Sequence, residues 1–251
     1  MYDNPFGGSN IVSVTTSEGT IIVDSSLFPS KAEQVKTTIK RLLNSDITLV
    51  INTHYHPDHT FGNSGFSAPL CCCKASEEFF RMMDKTYIGY VVEKEPLLAK
   101  ENVIIVPPSI TFDREYKLSF GDLDLYLENV GGHTPDTIVI RIPKYSLLIT
   151  GDLVVSGFHP EIVADSNIKT WVKVLKTLKK ERHKEIIPGH GPVVRDLEID
   201  QMRNYLEKLV YLREHKTQFE TFLGSLDKDP NFRSRKMPQM FIENLKVVMN
   251  H

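Results

Sequence analysis

The sequence predicts a mixed α/β protein made of two sheet-and-helix halves, and three observations support this fold class. Short β-rich segments alternate with amphipathic helical stretches, and this order occurs twice along the chain. With 41% hydrophobic residues, 251 residues are enough to bury one large core. Because neither a low-complexity linker nor an internal repeat interrupts the chain, we expect a single domain over residues 1–251.

The first half begins with two predicted strands, NIVSVTT and TIIVDSS, which flank a turn at Gly19. A helix with Ser30 as its expected N-cap follows, because apolar residues then recur at helical steps. The members of this stripe are Ala32, Val35, Ile39 and Leu42. The segments ITLVIN and APLCCC predict short buried strands, and SEEFFRMMDK predicts a helix. Residues 85–101 suggest a helix broken at Pro96.

The second half returns to β character in five segments separated by Pro and Gly punctuation: NVIIV, YKLSF, LDLYLENV, TIVIRI and SLLIT. Residues 167–180 predict a helix in which Trp171 belongs to the apolar stripe and packs in the core. EIIP predicts a further short strand, residues 197–222 an amphipathic helix, and MFIENLKVVM a final helix. Residues 196–251 are therefore expected to form C-terminal helices.

Charge and composition favour a cytoplasmic protein with a small-molecule substrate. The formal net charge is -2, from 30 basic and 32 acidic side chains, so no basic excess favours nucleic-acid binding. The segment MYDNPFGGSN lacks the features of a signal peptide. No apolar run approaches the roughly 20 residues that span a bilayer, so no membrane association is expected. The amphipathic tail suggests a homodimer contact.

The chain has three cysteines, and all three are contiguous at Cys71, Cys72 and Cys73. One reading is a thiol ligand cluster or a redox pair. The other is a buried strand in which cysteine serves as a small apolar residue. Because neighbouring strand residues point to opposite faces, three in a row chelate poorly, and the second reading is favoured.

The segment TLVINTHYHPDHTFGN concentrates potential metal ligands directly after an apolar run. His54 and His56 are two positions apart, so an extended backbone points both rings the same way. Asp58 and His59 follow Pro57, which suits the first turn of a helix and directs them to a neighbouring position. Burying this cluster without a metal would leave polar groups unsatisfied, so the segment predicts metal binding.

Three further potential ligands stand where apolar strands end. His133 follows LYLENVGG, Asp152 follows SLLITG, and His190 follows EIIPG. Loops at strand ends are where a rigid scaffold presents functional side chains. The donors suit two ions, with Asp152 bridging them, and such a pair shares a hydroxide that attacks at neutral pH. The first ion receives His54, His56 and His133, and the second receives Asp58, His59 and His190.

The motifs HYHPDH, GGHTPD, TGD and PGHG, in this order, resemble those of the metallo-β-lactamase-fold hydrolases. The resemblance extends from about GSNIVSV to PGHGPVV. It implies a four-layer αβ/βα sandwich of two mixed sheets flanked by helices, with the site at one edge between the sheets. It also implies the same seven ligands, with two divalent ions per chain, zinc being the expected metal and iron or manganese the alternatives.

The branch within that family is indicated by the carboxylate at Asp152. True β-lactamases of the best-known class carry a cysteine ligand near that position, whereas TGD resembles glyoxalase II, lactonases, phosphodiesterases and other general hydrolases. The acidic-strand signature of the family ends in Thr-Gly, but this chain has VDSSL. Because Asp24 is present, we interpret the difference as an altered loop shape.

The leading hypothesis is hydrolysis of an ester-like bond in a thioester, a lactone or another carboxyl ester. The hydroxide shared by the two ions attacks the carbonyl carbon, and Asp58 orients this nucleophile. His159 and Tyr55 are candidates for substrate contact or proton delivery, or else they serve only to support their neighbours. Substrate specificity is expected from residues 74–115, which we predict to cap the site, and from the C-terminal helices.

Three alternatives remain open from the sequence. The same motif resembles that of persulfide dioxygenases, which hold a single iron, and nitrogen and oxygen donors do not discriminate among these metals. A phosphodiesterase uses the same scaffold. The third alternative is a sensor that binds metal without turnover.

Overall fold

The computed structural model describes residues 8–215, 219–226 and 228–250. Two compact units divide these residues. The N-terminal unit comprises residues 8–129 and 136–144, and the C-terminal unit comprises residues 130–135 and 145–250. The single domain predicted over residues 1–251 stays a prediction.

The N-terminal unit contains a complete five-stranded sheet in the order β1-β2-β3-β4-β5. Its strands are β1 Val12–Thr16, β2 Gly19–Val23, β3 Ile47–Ile51, β4 Leu70–Cys73 and β5 Ile110–Phe112. β1 runs antiparallel to β2, while β2, β3, β4 and β5 are parallel to one another. Since parallel strands are covered on both faces, they are continuously apolar, as in LCCC, where every residue is buried.

Five helices of the N-terminal unit accompany this sheet: α1 Pro29–Leu43, α2 Pro57–Thr60, α3 Asn63–Phe66, α4 Ser76–Met82 and α5 Lys85–Lys94. The predicted break at Pro96 is confirmed, since a 3₁₀ helix begins there and runs over Pro96–Lys100. The prediction that Ser30 caps α1 was wrong. Phe28 holds the N-cap position without a side-chain cap, because Pro29, whose φ suits a helix, already starts the first turn.

Three further strands of this unit, β6 Glu115–Phe120, β7 Leu123–Asn129 and β8 Ile138–Ile142, form an antiparallel meander. The predicted strand NVIIV was wrong, because residues 102–106 adopt no strand. Pro107 and Pro108 follow immediately and offer no N–H to a ladder. The apolar side chains of Val103 and Ile105 pack against the core, although their backbone pairs with no strand of the described chain.

The C-terminal unit contains the parallel strands β9 Leu147–Ile149 and β10 Glu185–Ile187. Its helices are α6 Ile168–Glu181, α7 Asp196–Glu214, α8 Phe219–Leu226, α9 Pro230–Arg233 and α10 Pro238–Asn250. The side chain of Asn167 caps α6 by accepting a hydrogen bond from Thr170 N. Trp171 is fully buried, which confirms its predicted packing role. The helix predicted over 197–222 ends at Glu214, and residues 216–218 lie outside the described residues.

The strands β6 to β10 make the second sheet, in the order β10-β9-β8-β7-β6. Both sheets therefore have five strands, and both mix parallel with antiparallel pairs. The predicted class, mixed α/β with two mixed sheets flanked by helices, is confirmed. Over the described residues, none of the helices has the length and apolarity that crossing a membrane requires.

Candidate metal centre

The N-terminal unit presents four predicted ligands in the loop after β3 and in the first turn of α2. The rings of His54 and His56 lie with their centroids 4.7 Å apart, as expected from their spacing. The ring of His59 lies 4.2 Å from that of His54, and its Nε2 atom is 3.6 Å from Asp58 Oδ2. Pro57 occupies the first helical position, as predicted. Four nitrogen and oxygen donors are thus gathered within one short segment.

Asp24, at the end of β2, fixes which nitrogen of two of these histidines is protonated. Its Oδ2 atom lies 2.8 Å from His59 Nδ1 and accepts a hydrogen bond of 2.8 Å from Thr53 Oγ1. Because the Thr53 hydroxyl donates its only hydrogen to Asp24, it must accept from His54 Nδ1, which is 3.1 Å away. Both histidines therefore carry their proton on Nδ1 and offer the Nε2 lone pair to a metal.

The backbone of the same loop is held by buried hydrogen bonds to the carbonyl oxygen of His59. Ser25 donates to it through N and Oγ, each at 2.9 Å, and Asn52 donates through Nδ2 at 2.8 Å. The side-chain amides of Asn52 and Asn63 also donate a hydrogen bond to each other. Gly62 is required beside this network, since a Cβ atom there would lie 2.0 Å from Ser25 O. These contacts fix the position of the His59 carbonyl oxygen relative to Ser25 and Asn52.

Sequence reasoning noted that Asp24 is present but missed its role, and it missed Thr53 and Asn52 entirely. An aspartate directly after the apolar run TIIV was the available signal. The departure VDSSL has a structural counterpart, because Asp24 and Ser26 both adopt left-handed backbone conformations, with φ of 60° and 75°. The sequence VDSSL therefore places residues that carry a Cβ atom in a conformation that favours glycine, while the carboxylate of Asp24 is retained.

The C-terminal unit presents the other three predicted ligands, and Asp152 lies between the two histidines. Asp152 Oδ2 is 3.3 Å from His190 Nε2 and 3.9 Å from His133 Nε2. Two donors bound to one zinc ion at about 2.1 Å in tetrahedral geometry lie roughly 3.4 Å apart, so both Asp152 distances are close to those of donors that share an ion. His133 is fully buried, its ring makes an edge contact with Trp171, and its carbonyl oxygen accepts from Ser166.

Two glycines of this unit allow the backbone to approach the ligands closely. A Cβ atom on Gly189 would lie 1.8 Å from Asp152 Oδ1. Gly132, next to His133, has φ of 102°, and a Cβ atom there would lie 2.9 Å from the Cα atom of Trp171. These positions explain the Gly residues in PGHG and GGHTPD as spatial requirements of the ligands beside them.

The two residues proposed to contact substrate occupy different surroundings. His159 is buried, and its Nδ1 atom lies 3.0 Å from the hydroxyl of Tyr205. Burial and the positive charge of Arg235 lower the pKa of His159 to about 4. With this low pKa, His159 is uncharged at neutral pH. Tyr55, by contrast, is half-buried and stacks on Phe79 at a centroid distance of 3.9 Å.

The three cysteines are buried in β4, as the strand interpretation predicted. Burial raises the pKa of Cys71 and that of Cys72 to about 12. Cys73 accepts a hydrogen bond from Asn129 Nδ2. Thiols that stay protonated at physiological pH are poor metal ligands and poor nucleophiles.

The donor chemistry of the seven predicted ligands fits divalent metal ions. Among the residues that the structure describes, the groups of side chains able to hold a metal contain all seven of them and no other residue. Imidazole nitrogens and carboxylate oxygens are the donors that zinc accepts. The carboxylate that orients His59 is the supporting contact expected of a metal-bound histidine.

Comparisons with known proteins identify the family to which the chain belongs. A profile described as the metallo-beta-lactamase superfamily matches residues 4–190. The chain is 26% identical over 199 residues to metallo-beta-lactamase IND-1 of Chryseobacterium indologenes, which covers 74% of each chain. It is 27% identical over 190 residues to the type 2 metallo-beta-lactamase of Bacillus cereus, covering 74% of this chain and 68% of the relative.

A solved structure shares the fold at lower sequence identity. The metallo-beta-lactamase from Pontibacter korlensis superposes with a TM-score of 0.64 and 21% identity, covering 79% of this chain and 87% of its own. The protein belongs to the metallo-β-lactamase superfamily, since the family profile spans most of the chain. It is accordingly a metal-dependent hydrolase with a His and Asp metal-binding group.

Proposed function

We propose that the protein binds two divalent metal ions, preferably zinc, and hydrolyses an ester-like bond in a small-molecule substrate. In this proposal His54, His56 and His133 would hold one ion, Asp58, His59 and His190 would hold the other, and Asp152 would supply carboxylate oxygens to both. The position of Asp152 is the observation that carries the proposal. Its Oδ2 atom lies within 4 Å of His133 and of His190, two residues assigned to different ions.

The side chains of the chain have distinct tasks in this reaction. Bound divalent ions supply Lewis acidity toward the carbonyl oxygen and lower the pKa of water enough for attack at neutral pH. The partly buried carboxylate of Asp58 would orient the attacking water by accepting a hydrogen bond from it. Asp24 keeps His54 and His59 in the tautomers that bind metal.

The proposed substrate class is a thioester, a lactone or another carboxyl ester. Support comes from the ligand type at Asp152, where a carboxylate stands in place of the thiolate expected of the best-known β-lactamases. A second candidate is a β-lactam, which is favoured by the names of the relatives in Chryseobacterium indologenes and Bacillus cereus. Both reactions add a nucleophile to a carbonyl carbon, and the chemistry of the site suits both.

The experiment that tests the proposal measures metal content by mass spectrometry and hydrolysis on the same preparation. The panel contains thioesters, lactones, aryl esters, β-lactams and phosphodiesters. We expect two zinc ions per chain and turnover of at least one carboxyl ester. Asp152→Ala is expected to reduce the metal content to one ion or fewer and kcat/KM by about 10³-fold, because the ions contribute several kcal/mol to the barrier reduction.

A matched control is Asp46→Ala, which removes an exposed carboxylate paired with Lys40 and is expected to leave both measurements unchanged. Full activity and two metals in Asp152→Ala would show that the bridging assignment is wrong. One iron per chain with oxygen consumption on a persulfide would replace hydrolysis with oxidation. Turnover of phosphodiesters or β-lactams alone would move the substrate to that class, and flat activity with two bound metals would favour a sensor.

A further inference from the structure

The C-terminal helices determine the protonation state of one side chain next to the predicted ligands. They follow the segment matched by the family profile, which ends at residue 190. Three residues of this C-terminal region, Tyr205 in α7, Arg235 between α9 and α10, and Asn244 in α10, are buried and reach back to residues 155–162. These contacts all lie within the C-terminal unit.

The segment that carries His159 runs alongside His190. Ser156 N donates to His190 O at 2.9 Å, and His159 follows three residues later, within about 11 Å of Ser156 along the chain. Arg235 clamps this segment by donating from Nη1 to Val155 O at 3.2 Å and to Phe158 O at 2.7 Å. The backbone of Lys236 adds two hydrogen bonds to Gly157 and His159. His159 is therefore held in a segment whose backbone is hydrogen-bonded to that of His190, a predicted ligand.

A chain of hydrogen bonds then fixes the tautomer of His159. The backbone N–H of Ile162 can only donate, so the Asn244 atom that it contacts at 2.8 Å is the amide oxygen. Asn244 Nδ2 consequently donates to Pro160 O at 2.6 Å and to the Tyr205 hydroxyl at 3.4 Å. Burial raises the pKa of Tyr205, so its hydroxyl keeps its proton.

The Asn244 amide nitrogen can only donate, so among the described residues His159 Nδ1, 3.0 Å away, is the acceptor left for the hydrogen of the Tyr205 hydroxyl. An imidazole that accepts at Nδ1 and is uncharged carries its hydrogen on Nε2. Stacking against Phe241 at a centroid distance of 5.4 Å holds the ring plane. His54 and His59 carry their hydrogen on Nδ1 and leave Nε2 free to bind a metal. His159 has the opposite tautomer, so its Nε2 is a hydrogen-bond donor.

We propose that His159 is a substrate-contacting residue whose Nε2–H donates a hydrogen bond to an oxygen atom of the substrate's acyl group. The inference rests on the proposed hydrolysis and adds to it a neutral donor that positions the substrate. Because the imidazole is uncharged, it contributes a hydrogen bond and transfers no proton. Tyr205 and Asn244 act through His159 and are positioning residues.

The first arm of the test reads the tautomer directly. Long-range ¹H–¹⁵N correlation spectra of the zinc-loaded full chain at pH 7 are assigned by the signals that His159→Gln removes. We expect His159 to be protonated at Nε2 in the unsubstituted protein, and Tyr205→Phe to give a mixture of tautomers. Protonation at Nδ1 in the unsubstituted protein overturns the inference, whatever the activity.

The second arm compares two amides on whichever substrate the panel identifies. His159→Gln places an amide nitrogen near the position of Nε2, and we expect kcat/KM to fall about twofold. His159→Asn reaches only the position of Nδ1, and we expect a loss of about tenfold, typical of one missing hydrogen bond. His183→Asn, at a histidine that pairs with Glu181 and is not one of the predicted ligands, serves as the control and is expected to retain full activity.

The outcomes separate the inference from the proposed function. Hydrolysis with equal rates in His159→Asn and the unsubstituted protein overturns the inference and leaves the hydrolase assignment intact. Protonation at Nε2 in a zinc-loaded protein that hydrolyses nothing on the panel overturns the proposed function and the substrate contact with it. Thermal unfolding of each variant shows whether a lost rate reflects lost folding, and the tautomer in the unsubstituted protein decides in that case.

Discussion

Both units contain a glycine that approaches its neighbours closely, but their ligand side chains are held mainly by different contacts. In the N-terminal unit, His54, His56, Asp58 and His59 lie in one short segment, which is held by hydrogen bonds that Asp24 accepts and that Ser25 and Asn52 donate. In the C-terminal unit, His133, Asp152 and His190 are far apart in sequence. There the close approach of Gly189 and the packing of Trp171 determine where the ligands lie.

This difference indicates what each half tolerates. A half held by hydrogen bonds should be sensitive to a change of one atom that reverses donor and acceptor, even when the volume is preserved. A half held by close backbone approach should be sensitive to added volume, even when no polar group changes. The three predictions that follow test this contrast, from the largest expected effect to the smallest.

Gly189→Ala tests the close approach in the C-terminal unit. The new Cβ atom would lie 1.8 Å from Asp152 Oδ1, so the carboxylate must move by more than 1 Å. We expect kcat/KM to fall by about 10²-fold or more, the cost of such a displacement in an active site. Steady-state kinetics and metal content measure the effect. Gly89→Ala, in α5 with no atom within 4 Å, should retain activity and metals. Equal behaviour of the two variants would contradict the steric argument.

Asp24→Asn tests the hydrogen-bonded half with almost no change in volume. With the amide oxygen accepting from Thr53 N, the amide nitrogen faces Thr53 Oγ1 and His59 Nδ1 as a donor. His59 and, through the Thr53 hydroxyl, His54 would then place their protons on Nε2 and lose their metal-binding lone pairs.

We expect Asp24→Asn to weaken metal binding by about 10- to 100-fold, as measured by competition with a chelator. Asparagine tolerates the left-handed backbone of Asp24, so the fold should persist. Asp46→Asn, at an exposed position, is the matched control. Unchanged metal affinity in Asp24→Asn would show that the tautomers are not set by this carboxylate.

Ser26→Gly addresses the departure from the Thr-Gly signature and has the smallest expected effect. Ser26 has φ of 75°, which costs a residue with a Cβ atom about 1–2 kcal/mol. Glycine removes this cost but loses about 0.5–1 kcal/mol through the entropy of the unfolded chain. We expect a gain of about 0.5 kcal/mol in the free energy of unfolding by denaturant titration. Ser13→Gly, in β1 with ordinary extended backbone, should destabilise instead. Loss of stability in both variants would show that the contacts of the Ser26 side chain contribute more to the free energy of unfolding than its left-handed backbone costs.

The fold was largely predictable where local patterns and burial agree. The periodic stripe of α6 and the apolar runs of β3 and β4 gave correct elements, because one buried face repeats at a fixed spacing. The segment NVIIV failed, since two following prolines deny it a ladder while its side chains still pack. Ser30 failed as a cap because Pro29 had already begun α1.

The sequence by itself determined which donors are available, their order along the chain and their position at the ends of strands. It did so because metal-binding side chains and strand periodicity are properties of short segments. Only the tertiary structure decided that Asp152 lies beside both His133 and His190, and which nitrogen of His54, His59 and His159 bears the proton. A tautomer depends on the partner of a single atom, and the folded chain supplies that partner from residues such as Asp24, Tyr205 and Asn244, which no ligand motif contains.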